Sequence, residues 1–129
     1  MSRILVIDDE FSVLRVVQRV GAHLGHAVIT CKSAEEAISK LEVDKKFDLI
    51  LTDIILPGVS GLEFLEWLER GGFFKKVVLM TAYPQQEFVK FALSHGALDV
   101  LTKPFSDPQS LGNNIRRWIS GLDIQPNPL

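Results

Sequence analysis

Apolar residues in this chain follow two rhythms that take turns. Short unbroken runs occur at Ile4–Ile7, Ala27–Thr30, Leu49–Leu51, Val77–Met80 and, more weakly, Val100–Leu101. Each is too short for a buried helix but suits a strand covered on both faces. Between the runs, apolar residues recur every three or four positions: Leu14, Val17, Val20, Leu24; Ala34, Ala37, Ile38, Leu41; Leu62, Leu65, Leu68; Phe88, Phe91, Ala92; and Leu111, Ile115, Trp118, Ile119. That spacing gives a helix one greasy stripe. The pattern therefore predicts five strands, each followed by a helix.

The punctuation agrees. Ser33 with Glu36 and Ser60 with Glu63 have capping-box spacing. Pro84 and Pro108 sit where a first-turn proline fits, and Gly25 and Gly96 can close helices in the left-handed conformation. Gly112 is a weak point inside the last helix, costing on the order of 1 kcal/mol relative to Ala. Strand-then-helix repeats imply right-handed crossovers and an α/β, doubly wound parallel sheet with helices on both faces. In such folds ligands bind beyond the carboxyl ends of the strands.

Length and charge narrow the class without changing that picture. A chain of 129 residues is one ordinary domain, able to hide about two-thirds of its unfolded surface; residues 1–120 are expected to form it, with 121–129 a tail or the start of a linker. Fourteen basic residues against 16 acidic ones leave a net charge of −2, and without a long basic run neither nucleic acid nor an anionic membrane is an expected partner. The single Cys31 has no internal disulfide partner and reads as a small core residue. Neither a signal peptide nor a membrane-length apolar stretch is legible, so the expected location is cytoplasmic.

The chemistry collects where the topology says it should. Asp8 and Asp9 follow the first strand, Asp53 the third, Thr81 ends the fourth and Lys103 the fifth. Three carboxylates and one ammonium make a negative pocket suited to a hard, oxygen-seeking dication, of which magnesium is the usual choice. A magnesium ion keeps open positions that phosphoryl oxygens fill, and an aspartate beside it can attack phosphorus to give an acyl phosphate. Asp53, alone and central, is the candidate nucleophile; the Asp8/Asp9 pair suits the ion.

Four motifs in order, V-I-D-D-E, D-I-I-L-P-G-V-S-G from Asp53 to Gly61, T-A at Thr81–Ala82 and K-P-F at Lys103–Phe105, resemble the receiver domain of bacterial two-component response regulators. The resemblance covers roughly residues 3 to 120. It implies a flavodoxin-like fold with strand order 2-1-3-4-5, and phosphorylation of Asp53 by a sensor histidine kinase or a histidine phosphotransfer protein. It further implies magnesium ligation by Asp9, Asp53 and the Ile55 backbone carbonyl, with Asp8 acting through water. Lys103 would pair with the phosphoryl oxygens, its peptide bond to Pro104 would be cis, and Thr81 would swing toward the phosphoryl group. The signal would leave through the fourth helix, fifth strand and fifth helix, to an output domain beyond residue 129 or to a second copy of the chain. Intrinsic self-phosphorylation and dephosphorylation would be the only chemistry.

Two departures from the receiver pattern matter. The residue three before the lysine is usually aromatic and turns inward on activation; Val100 has no ring to bury. The switch is therefore expected in the loop after Thr81, with Tyr83 the nearest ring. Ile55 and Tyr83, two after the nucleophile and two after the threonine, look unable to position water, so slow loss of the aspartyl phosphate is expected.

Plainer readings stand beside these. Glu10 is taken as a helix-start charge, and His23, His26 and His95 as surface or capping residues. Trp67 and Trp118 read as packing residues, and Arg116 and Arg117 as solvated ones. Phe88, Phe91 and Leu93 exceed what one buried stripe needs and leave an apolar patch. The rival enzyme is a haloacid-dehalogenase-type phosphatase, which needs an acid two residues after its nucleophile, where this chain has Ile55. A degenerate receiver serving only as a docking module is the other alternative; retention of Asp8, Asp9, Asp53, Thr81 and Lys103 argues against it.

Overall fold

The computed structural model describes residues 1–72, 76–103, 105 and 107–121. Strands and helices alternate throughout: β1 (Arg3–Ile7), α1 (Phe11–His23), β2 (Ala27–Cys31), α2 (Ala34–Val43), β3 (Leu49–Asp53), α3 (Gly61–Arg70), β4 (Lys76–Thr81), α4 (Gln86–Ser94), β5 (Asp99–Thr102) and α5 (Pro108–Ser120). All strand pairs are parallel, in the order β2-β1-β3-β4-β5. The expected cis bond at Pro104 and the tail from residue 122 lie outside the described residues.

Both faces of the sheet are covered, which is why its central strands read as unbroken apolar runs rather than as alternation. Ile4, Val6, Leu49, Leu51, Val78 and Met80 point to the face covered by α1 and α5, meeting Val13, Leu14, Val17, Leu111, Ile115 and Trp118. Leu5, Ile7, Ile50 and Leu79 point to the other, against Ala34, Ala37 and Leu41 of α2, Phe64, Leu65 and Leu68 of α3, and Ala92 of α4.

The helix ends follow the expected signals with two differences. Ser60 and Glu63 close a full capping box at α3, and Asp107 caps α5 ahead of Pro108 in its first turn. At α2 the Ser33 hydroxyl accepts from Glu36 N–H, but the Glu36 carboxylate reaches back one residue further, to Lys32 N–H at 3.1 Å. Pro84 is not in the first turn of α4; it precedes the N-cap Gln85, whose side chain makes no cap bond. A proline there sets an extended approach to the helix without entering it. Gly25 and Gly96 take φ of 86° and 90° after α1 and α4, as helix-closing glycines do.

Candidate functional site

The carboxyl ends of β1, β3, β4 and β5 lie side by side, because parallel pairing places all of them at one edge. β3 aligns Asp53 with Met80 of β4, and β4 aligns Thr81 with Thr102 of β5. Backbone bonds continue that alignment past the strands: Ile54 N–H donates to Met80 O at 3.0 Å and Lys103 N–H to Thr81 O at 2.7 Å. The loop after Asp53 is then folded back on the strand end. Gly61 N–H donates to Ile54 O at 2.8 Å, and a Cβ at Gly61 would clash with the Asp53 carbonyl oxygen. Only glycine permits this approach. Gly58 serves the same loop differently, through its φ of 76°.

Residues far apart in the chain meet here. Lys103 Nζ donates to Asp53 Oδ2 at 2.8 Å and to Asp8 Oδ2 at 2.9 Å, all three side chains being buried. The second Asp53 oxygen accepts Ile55 N–H at 3.0 Å, and the second Asp8 oxygen accepts Glu10 N–H at 2.9 Å. Burial pushes the Asp8 carboxyl above its ordinary value, against the Glu10 N–H and Lys103 bonds that favour its charge. For Lys103 the balance goes the other way. Burial disfavours its ammonium, but the Asp53 and Asp8 carboxylates outweigh that and hold it above the usual lysine value. The lysine is thus a fixed positive charge.

Thr81 is buried, and its hydroxyl oxygen accepts Tyr83 N–H at 3.0 Å. The two flanking residues, Ile55 and Tyr83, are exposed at 56% and 67%. Val100 is half-buried and packs with Phe88 against the α2–α3–α4 core. Cys31 lies at the end of β2, buried, with burial raising its thiol to about 11, which leaves it protonated and unreactive at neutral pH.

Three acids offer oxygens within 4.8 Å of one another, and they are Asp8, Glu10 and Asp53. Asp9 is exposed and does not belong to that group. Glu10, read from the sequence as a helix-start charge, does belong, and lies 3.5 Å from Lys103 Nζ. The missed signal was its position, since glutamate is not a favoured N-cap residue. An all-oxygen, carboxylate-rich donor set fits a hard divalent cation. The histidines stay outside: His95 Nδ1 pairs with Glu69 at 3.0 Å, and His26 Nδ1 accepts Ser2 N–H.

The family model described as "Response regulator receiver domain" matches residues 4–116. The alkaline phosphatase synthesis transcriptional regulatory protein PhoP of Bacillus subtilis is 36% identical over 122 residues, 95% of this chain and 50% of that protein. The response regulator SaeR of Staphylococcus aureus is 33% identical, over 95% of this chain and 52% of its own length. The chain thus spans about half the length of these curated relatives. Among solved structures, a CheY-like response regulator receiver domain protein from Methanospirillum hungatei superposes with a TM-score of 0.86 at 30% identity, covering 94% of this chain and 95% of that one.

Proposed function

This chain belongs to the response regulator receiver domain family, and from that premise we propose that Asp53 is its phosphoryl acceptor, with phosphohistidine of a sensor histidine kinase or a histidine phosphotransfer protein as the donor. The observation that carries the reading is the setting of the Asp53 carboxylate. It is 5% exposed at a strand end, with one oxygen held by Lys103 and the other by Ile55 N–H.

In the transfer, an Asp53 oxygen bonds to phosphorus as the donor's P–N bond breaks. The imidazole nitrogen takes that electron pair, and an aspartyl phosphate results. Lys103 is already within 2.8 Å of Asp53, so its ammonium needs only a short shift to pair with the phosphoryl oxygens. The Thr81 hydroxyl oxygen is occupied by Tyr83 N–H, which leaves its proton to be donated to the same group. Asp9, Asp53 and the Ile55 carbonyl would hold magnesium, with Asp8 acting through water. Once bound, the ion would supply charge neutralisation on the transferred oxygens.

A receiver is a signalling protein, modified once and then read, rather than an enzyme turning over substrate. Self-phosphorylation from small donors and self-dephosphorylation are the chemistry proposed here. The dehalogenase-type reading is not favoured, because Ile55 stands where that mechanism needs an acid. Residues 1–120 are proposed as the receiver and 121–129 as a tail or linker, leading to an output domain of the kind the longer relatives would accommodate, or leaving the chain to pair with a second copy through α4, β5 and α5. No helix among the described residues is long and apolar enough to cross a membrane, which supports a cytoplasmic site of action.

Acetyl phosphate with magnesium should label the protein to one phosphoryl group per chain, as read by intact mass, and Asp53→Asn should abolish the label. Steady turnover of a simple phosphate ester would overturn the reading. With Ile55 and Tyr83 crowding the approach to the acyl phosphate, Tyr83→Ala should speed its decay; unchanged or slower decay would remove that explanation of its lifetime.

A further inference from the structure

Glu10 occupies a helix-start position without using its side chain as a cap. It is the N-cap of α1, with extended backbone (φ −89°, ψ 113°) and no side-chain cap bond, at a position where Ser, Thr, Asp or Asn would bind a first-turn N–H. Its side chain is 60% exposed, so it buries little. A carboxylate so placed can swing into water, away from other negative charge. Instead it lies within 4.8 Å of the Asp8 and Asp53 oxygens and 3.5 Å from Lys103 Nζ.

Its position is imposed from below, since buried Asp8 accepts Glu10 N–H at 2.9 Å and holds the residue over the site. With the acids ionised, three carboxylates against one ammonium leave an excess of two negative charges. Such an excess is unfavourable for a metal-free fold and favourable for a divalent cation.

Resting on the proposed cation site, we infer that Glu10 is a positioning residue of that site: an exposed carboxylate that draws in the hydrated ion and shares its charge from the solvent side. Asp8 and Asp53 are buried, so within the three-acid group Glu10 alone meets the ion from the solvent side, next to the exposed Asp9. Magnesium sheds water reluctantly and keeps several waters when bound, so a charged acceptor at the mouth has a function that the buried acids cannot supply. The nearby ammonium sharpens the point, because Lys103 holds Asp53 and Asp8 until a competing cation arrives, and Glu10 offers the first foothold.

Manganese, followed as free ion by electron paramagnetic resonance, serves as the probe on the full chain. Glu10→Gln keeps size and removes charge, whereas Glu10→Ser removes charge and installs a good N-cap. Both should weaken manganese binding on the order of tenfold, as changes next to a metal's direct ligands do, and magnesium should displace the ion correspondingly earlier. Equal affinity of wild type and Glu10→Gln would overturn the inference. So would weakening by Glu10→Gln that Glu10→Ser does not share, since that pattern reports a helix-start role. Absence of saturable binding by wild type would overturn both this inference and the proposed cation site, whereas wild-type binding without acetyl phosphate labelling would sink only the phosphoacceptor reading.

Discussion

α4 and α5 flank the same edge strand, yet one is bolted down and the other is not. α5 buries Leu111, Gly112, Asn114, Ile115 and Trp118 over 13 residues. Its Trp118 indole donates to Asp99 Oδ2 at 3.2 Å, and Lys76 Nζ donates to the Ile119 carbonyl at 2.8 Å, tying the end of the helix to the sheet. α4 is nine residues long, buries only Ala92 and starts without a side-chain cap. Its Phe88 and Phe91 are half-buried, and its far end meets α3 through the partly exposed His95–Glu69 contact. Local stability follows buried contact, so α4 is expected to be the less stable of the two helices and α5 the more firmly held.

The comparison breaks most visibly under truncation. Trp118→Ala should destabilise the fold by about 3–5 kcal/mol, whereas Phe88→Ala, removing a half-buried ring, should cost about 1 kcal/mol. Urea denaturation of the two variants measures the gap, and equal losses would mean that α4 is no looser than α5.

A second test concerns the acidic site at the strand ends. Burial raises the Asp8 carboxyl, so the folded state holds its proton more tightly than the unfolded chain does. The associated stability is fully present below the ordinary value of 3.8 and is lost as pH rises through the folded-state value. In metal-free buffer, Asp8→Asn should therefore gain on wild type as pH climbs from acid toward neutral, and magnesium should narrow the difference. Denaturation across a pH series checks the sign, and a wild-type advantage growing with pH would contradict it.

The smallest effect belongs to the tether. Glu69→Gln neutralises one partner of the partly exposed His95–Glu69 contact, a change worth at most about 1 kcal/mol. Amide shifts should change along α4 while those of α5 stay put; shifts spreading into α5 would show that the two helices respond as one.

Much of this was legible in the chain. Both rhythms placed all five strands and five helices, because burial on two faces forces continuous apolar runs and burial on one forces a stripe. Asp8, Asp53, Thr81 and Lys103 were legible as a site because a parallel sheet must gather its carboxyl ends. Pro84 was misplaced by two residues, since proline fits both just before a helix and within its first turn, and only the path of the chain distinguishes them. Glu10 was passed over because adjacent acids look alike in a sequence. Glu10 joins the group of Asp8 and Asp53 oxygens while its N–H is held by Asp8, a placement that depends on how β1 leads into α1.

The sequence by itself determined the order of elements, the buried faces and the four strand ends at which the candidate residues stand, because periodicity and topology are local and repetitive. The tertiary structure alone decided that Lys103 sits 2.8 Å from Asp53 at a separation of 50 residues, that Glu10 rather than Asp9 joins the acidic group, and that α5 buries more of its surface than α4. Those are matters of distance between remote residues, and only packing of the whole chain sets them.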